Sequence, residues 1–360
     1  MKVKMDFLSA SETVANGAKI CGVQSVVNYP SALNSDVNNK IMNLIKSGYA
    51  CDFNDAHSLN AAFNMAIAST LLGKRTFLAT SVVDALDDFY NIAFQRLPIV
   101  VVNFSKSLGA NTLAQDHSSL ILRDSGWIVL SPGTNQEIID MMVYAYKISE
   151  TPKISLPVMI HLDSLINFSE SLVMPGDKII SNFLEKPKQR INVKKPESFN
   201  AYIERDDYVN AKKGQQAGMD NVISMIEKTD ETWKKKFKRE VGLIESYKTE
   251  DADTIIVITG YHSLTAKAAV DKLRNQGKKI GLVRLKIIRP LPKDDIKKSL
   301  EKSTRIIIID QALSGNCGIM YNEIKSLFSG QTTNAISLGK HLNEKDIISA
   351  VDAKEDLVWI

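Results

Sequence analysis

"RTFLATS" (residues 75–81) and "PIVVVNF" (residues 98–104) decide the fold of this chain. Each is a short apolar run, rich in β-branched residues, of the kind found in strands covered on both faces. Similar runs stand at 25–29 ("SVVNY"), 50–53 ("ACDF"), 127–130 ("WIVL") and 157–163 ("PVMIHLD"). Helical patterns lie between them. Ser9 and Glu12 have the spacing of a capping box. One helix is expected from about His57 to Leu72, stopped by Gly73. Another, "NQEIIDMMVYAYKISE" (135–150), ends before Pro152. Strands alternating with helices imply an α/β domain with a doubly wound parallel sheet.

Working outward, this first domain is expected over residues 1–174 and a second, smaller α/β domain over 251–360. Strand runs in the second are "DTIIVITG" (253–260), "KIGLVRLKII" (279–288) and "RIIIID" (305–310), with "NAISLG" (334–339) as its last strand. "HSLTAKAAVDKLRNQG" (262–277) is a helix closed by a glycine. Residues 175–250 form the connection. Between Lys186 and Lys195 stand five basic residues and no acidic one, so this part reads as a solvated connector or as an arm on a partner subunit. From Val209 to Tyr247 the pattern is that of one long charged helix.

The composition narrows the function. The chain has 360 residues, enough for two or three domains. A net charge of +4 with no basic motif argues against a nucleic-acid partner. No run of 18 apolar residues marks a membrane helix and the N-terminus has no signal core, so a cytoplasmic protein is expected. Cys21, Cys51 and Cys317 are scattered, with no C-x-x-C pair. They support no disulfide framework, zinc site or iron–sulfur cluster held by this chain alone, and no metal ligands are assigned to it. There is no P-loop, G-x-G-x-x-G or G-x-S-x-G motif.

Candidate chemistry therefore lies at strand ends, where open α/β sheets bind ligands. "NYPSALNSD" (28–36), "NDAHS" (54–58), "SKSLGANTLAQDHSS" (105–119) and "TGYHS" (259–263) are polar segments in such places. By spacing alone Asp55 and Ser58 also read as helix caps, and the histidines as surface residues.

The order of segments resembles the α subunit of the 2-oxoacid:ferredoxin oxidoreductases, the pyruvate:ferredoxin oxidoreductase family. The resemblance runs through "GAKICGVQSVVNYP" (17–30), "AHSLNAAFNMAIASTLLGKRTFLATS" (56–81), "RLPIVVVN" (96–103), "QDHSSLILRDSGWIVL" (115–130) and "IIIIDQALSGNCG" (306–318). It implies a pyrimidine-binding-like domain for thiamine diphosphate followed by a transketolase C-terminal-like domain. It further implies oxidative decarboxylation of a 2-oxoacid, with pyruvate the expected substrate, and transfer of the acyl group to coenzyme A. Electrons pass to ferredoxin. The cofactor is shared with a β subunit that holds Mg²⁺. Iron–sulfur clusters sit only on partner subunits, of β and of γ or δ type.

The same resemblance implies roles for single residues. Asp55 and His57 are the candidate catalytic and cofactor-binding pair, because the family places a glutamate directly before this histidine to meet the thiamine ring. Here Ala56 stands at that position and Asp55 one residue earlier. Ser31 is the candidate substrate contact beside Ala32, where the family has threonine. Lys106 takes the place of an arginine that meets the substrate carboxylate, keeping the charge without the two-pronged fork. Asp116 and His117 complete the substrate set. The family's arginine after the strand 305–310 is Gln311 here. Two readings follow: a divergent subunit of an active oxidoreductase, or a catalytically degenerate paralogue with an assembly or regulatory role.

Overall fold

The computed structural model describes residues 4–29, 31, 34–81, 85–105, 118–163, 168–192, 194 and 203–360. In chain order the first part runs β1 (Lys4–Ser9), α1 (Ala10–Ile20), β2 (Ser25–Asn28), α2 (Ser35–Lys46), β3 (Asp52–Asp55), α3 (Leu59–Leu71), β4 (Thr76–Thr80), α4 (Leu86–Phe94) and β5 (Val100–Phe104). It continues with β6 (Ile128–Leu130), α5 (Asn135–Ser149), β7 (Val158–Leu162), β8 (Ser169–Met174) and α6 (Asp177–Phe183). The helices α7 (Arg205–Asp220) and α8 (Val222–Phe237) lead to β9 (Ile244–Tyr247). Then come β10 (Thr254–Thr259), α9 (Ser263–Asn275), β11 (Ile280–Leu285), β12 (Ile287–Arg289), α10 (Lys293–Leu300) and β13 (Arg305–Asp310). The last elements are β14 (Leu313–Ser314), β15 (Cys317–Gly318), α11 (Ile319–Lys325), β16 (Gln331–Ile336), α12 (Glu344–Asp352) and β17 (Leu357–Trp359).

The expected doubly wound sheet has seven strands in the order β12-β6-β7-β5-β4-β2-β3. All neighbours are parallel except β12 and β6. Every residue of β4, β5 and β7 is buried, which is why those strands read as unbroken apolar runs. One face packs on α1, α5 and α8, the other on α3 and α4. The second sheet has six strands in the order β17-β16-β13-β10-β11-β9, with β9 antiparallel at one edge.

The capping box forms as expected. The Glu12 amide donates to the Ser9 hydroxyl at 3.3 Å and the Ser9 amide to the Glu12 carboxylate at 3.0 Å. Ser9→Ala is expected to cost about 1 kcal/mol, read as a lower urea midpoint with an unchanged m-value.

Three expectations are corrected. The helix expected from His57 starts at Leu59, because the Ser58 hydroxyl accepts from the Ala61 amide at 3.1 Å and so is the N-cap. The single charged helix of 209–247 is two helices and a strand. α7 stops at Asp220, and α8 stops at Phe237, where Lys238 adopts a left-handed φ of 58°. The Val241 and Gly242 amides then bond to Asp230, and β9 turns away to pair with β11. The basic connector is not free in solvent. The Arg190 amide donates to the Leu71 carbonyl at 2.9 Å, so 185–192 runs along the amino edge of the large sheet.

Besides the pairing of β12 with β6, two arginine–carboxylate joints among the described residues hold the second domain against the first. Arg284 on β11 grips Glu137 on α5 with two hydrogen bonds, at 2.5 and 2.7 Å, and donates to Glu245 at 2.8 Å. Lys286 lies 3.1 Å from the same Glu137. Burial raises the Glu137 carboxyl, but Arg284, Lys286 and the Gly133 amide outweigh it and hold the group down at about 2. In the second joint, Arg289 and Arg123 share the Glu323 carboxylate.

Candidate active site

Strand order creates the site. From β2 the chain crosses to β3 on one side, then to β4 on the other, so the two loops that leave β2 and β4 diverge. That divergence is a topological switch point, the place where an open α/β sheet has a crevice. Ser31, expected at the substrate, sits there. Its hydroxyl donates to the Asn34 side-chain oxygen at 2.9 Å and lies 2.6 Å from the Ser81 hydroxyl. With the Ser31 proton committed to Asn34, the Ser81 hydroxyl is the donor to Ser31. Buried Asn34 is fixed in turn by its amide donations to the Tyr29 carbonyl at 2.9 Å and the Ala79 carbonyl at 2.7 Å. Asn34 and Ser81 thus pin the crevice; Asn34 lies in the polar segment 28–36, but nothing local marks a contact between residues 31 and 81.

Asp55 ends β3 beside Asn28 of β2. Its carboxylate accepts from the Asn28 amide at 2.7 Å, and the Asn28 oxygen accepts from the Asn38 amide at 2.5 Å. Both asparagines are buried, whereas Asp55 is exposed at the sheet edge. Ala56 points to the opposite face and is buried in the apolar cluster with Leu59 and Phe63. The alternation of a strand accounts for the difference. His57 is exposed in the turn before α3 and makes no hydrogen bond among the described residues. The structure therefore brings Asp55 and Ser31 to one carboxyl edge and leaves His57 apart from the Asp55 network. Lys106, Asp116 and His117 lie outside the described residues.

A buried polar row continues along this edge. Thr80, Asn103 and His161 are cross-strand neighbours on β4, β5 and β7. Above it, Asp163 lies 3.6 Å from His262, at the start of α9. The Gln311 amide nitrogen lies 2.5 Å from the same His262 Nδ1. The second domain thus covers one end of the carboxyl edge with His262 and Gln311. The segment 259–263 hinted at this, but the meeting of Asp163 with His262 depends on how the domains dock.

Among the described residues no group of three His, Cys, Asp or Glu side chains is placed to hold a metal ion. Nor is any helix long and apolar enough to cross a membrane. The three thiols are free, and burial pushes Cys21 up to about 12.

The fold is shared with solved proteins. The chain aligns with a split-gene transketolase over 96% of its length and 97% of that chain, at a TM-score of 0.56 and 12% identity. It aligns more closely, at a TM-score of 0.75 and 17% identity, with the 2-oxoglutarate:ferredoxin oxidoreductase from Magnetococcus marinus solved with 2-oxoglutarate, coenzyme A and succinyl-CoA bound. That match covers 96% of this chain and 64% of the other. Both define a transketolase-like two-domain α/β fold, as expected. Residues 16–231 match the profile described as pyruvate flavodoxin/ferredoxin oxidoreductase, thiamine diphosphate-binding, and 252–350 match pyruvate:ferredoxin oxidoreductase core domain II. The chain belongs to this oxidoreductase family and is of its α-subunit type. It is 29% identical to pyruvate synthase subunit PorA of Methanocaldococcus jannaschii, over 98% of this chain and 97% of that protein.

Proposed function

We propose that this chain is the working α subunit of a 2-oxoacid:ferredoxin oxidoreductase, with pyruvate as substrate and its thiamine diphosphate site at the carboxyl edge of the seven-stranded sheet. A β-type subunit supplies Mg²⁺ and the diphosphate contacts. β-, γ- or δ-type subunits carry the clusters that lead to ferredoxin, and coenzyme A takes the acyl group. Residues 1–174 are the cofactor-facing unit, 175–250 the connection and 251–360 the covering unit.

The observation that carries this reading is the Asn38–Asn28–Asp55 chain of hydrogen bonds. It holds one carboxylate at the edge of the switch-point crevice, with one oxygen engaged by Asn28 and the other without a partner among the described residues. A thiamine ring nitrogen needs such a carboxyl, and the residues present fit it. When bound, the cofactor supplies the carbanion for attack on the 2-oxo carbon and a sink for the electrons released by decarboxylation. Asp55 would hold the proton at the ring nitrogen, with Asn28 fixing its rotamer. Ser31, held by Ser81 and Asn34, would present a fixed hydroxyl oxygen to the substrate, and Lys106 would hold its carboxylate, with Asp116 and His117 alongside.

Co-expression with a β-type subunit is the test: the complex should reduce ferredoxin when given pyruvate and coenzyme A. Lys106→Ala is expected to raise KM for the 2-oxoacid by about tenfold or more, the loss of one charge-assisted hydrogen bond, with Tm unchanged. An unaltered KM removes Lys106 from the substrate site. The burial of Ala56 at the family's glutamate position favours a second reading, a non-catalytic regulatory subunit. A complex that assembles, yet binds no thiamine diphosphate by calorimetry, would establish it.

A further inference from the structure

At the opposite, amino edge of the large sheet lies a cavity of about 490 Å³ that no step of the proposed reaction uses. Its floor comes from the turns that enter β4, β5 and β7, and its roof is the connector 185–190. The roof is fixed in place. Besides the bond from Arg190 to Leu71, Gly73 (φ 81°) meets it so closely that a Cβ there would lie 2.7 Å from the Gln189 amide nitrogen.

The charges around this cavity do not balance internally. Glu150 is held on both oxygens by Arg75, at 2.6 Å each, and Lys74 pairs with Asp52. Four further cations line the space, Arg96, Lys186, Lys188 and Arg190, against one remaining carboxylate, Glu185. Glu185 is itself approached by Lys147 at 3.7 Å. The helices α3, α4 and α5 all end near here, and their terminal carbonyls attract cations. Local carbonyls account for part of the two arginines: Arg190 donates to the Gln95 carbonyl at the end of α4 at 3.2 Å, and Arg96 to the Ile154 carbonyl in the turn before β7 at 2.7 Å.

They do not account for the rest. Lys186 and Lys188 are exposed on the roof and form no ion pair among the described residues. Two polar atoms in the lining are buried with no partner there, the Thr70 hydroxyl and the Arg96 Nε. Thr70 as a whole is only 4% exposed. A buried hydroxyl and guanidinium N–H without partners each carry a cost that a ligand oxygen removes. Pro98 and Pro187 add flat apolar surface to the lining.

We propose that this cavity is a second ligand site, for a phosphorylated metabolite of mononucleotide size. Its phosphates lie between Lys186, Lys188 and Arg96, and Thr70 donates to an oxygen. The volume is that of a small-molecule site, and guanidinium and ammonium groups together are the usual recognition set for phosphate. The site stands across the sheet from the cofactor edge, so the two can be filled together.

Isothermal titration of the full chain with ADP tests this, using adenosine and Lys236→Ala as controls. One ADP per chain is expected, with no adenosine binding. The double variant Lys186→Ala/Lys188→Ala should lose about tenfold or more in affinity. Thr70→Val should also weaken binding, while Lys236→Ala, on α8, should not. Both roof lysines are exposed, so the double variant should keep the wild-type Tm. The proposal is overturned by the absence of saturable ADP binding, by equal affinity in the double variant, or by displacement of ADP with thiamine diphosphate and Mg²⁺, which would place ADP at the cofactor edge instead.

Discussion

Asp55→Asn is expected to lower pyruvate-dependent ferredoxin reduction by the assembled enzyme by roughly 10²–10⁴-fold, the usual range for a lost acid–base partner. The substitution keeps the shape of the side chain and removes only its ability to hold and release a proton. Asp55 is exposed, so stability should change by no more than about 0.5 kcal/mol. A loss of rate would then not reflect a loss of fold. Asn28 donates to the carboxylate at 2.7 Å and can donate equally to an asparagine oxygen, so the edge itself should stay intact. Thiamine diphosphate affinity should fall less than turnover. The companion variant Ala56→Glu restores the family's residue in sequence but not in space. It places a carboxylate in the cluster of Leu59 and Phe63, so it should destabilise the chain without raising activity. Wild-type turnover in Asp55→Asn would remove Asp55 from the site.

Arg284→Met is expected to destabilise the chain by about 3–5 kcal/mol, because it leaves Glu137 buried without its main cation. Arg284 is 3% exposed and Glu137 15%, and only Lys286, at 3.1 Å, is left to offset the Glu137 charge in part. Adding Glu137→Leu should recover most of the loss, since a buried pair replaced by apolar groups is often close to neutral. pH gives an independent readout. The Glu137 carboxyl is held at about 2 in the folded chain against an ordinary value of 4.5. A depressed carboxyl stabilises the folded state above its unfolded pKa. That contribution, about 3 kcal/mol, is fully present above pH 4.5 and is lost as the pH falls toward 2. Urea midpoints of the wild type should therefore fall across this window. In Arg284→Met the part of the slope owed to Glu137 should shrink, since only Lys286 and the Gly133 amide then lower its carboxyl. An unchanged slope would show that other carboxylates control acid unfolding.

Much of the fold was legible because its causes are local. The runs at 76–80 and 100–104 are wholly buried strands, as their lack of alternation implied. Ser9 and Glu12 form their box because the partners are three residues apart. The stretch 209–247 misled because its charges suit a helix throughout, whereas the turn after α8 is held by Asp230 capturing the amides of Val241 and Gly242. The connector misled for a similar reason. Its basic side chains do face solvent, but its backbone is tied to Leu71, more than a hundred residues earlier.

The candidate site divides along the same line. The sequence by itself determined which residue types were available at the strand ends, because strand and turn propensities act over a few neighbouring residues. It also determined the family, through the order of its segments. Only the tertiary structure decided which of those residues meet. Strand order joined Ser31 to Ser81, register set Asn28 against Asp55 and turned Ala56 into the core, and domain docking brought His262 to Asp163. Each of these contacts closes a loop of many residues, and its energy comes from burial and pairing across the sheet, which no local stretch of the chain encodes.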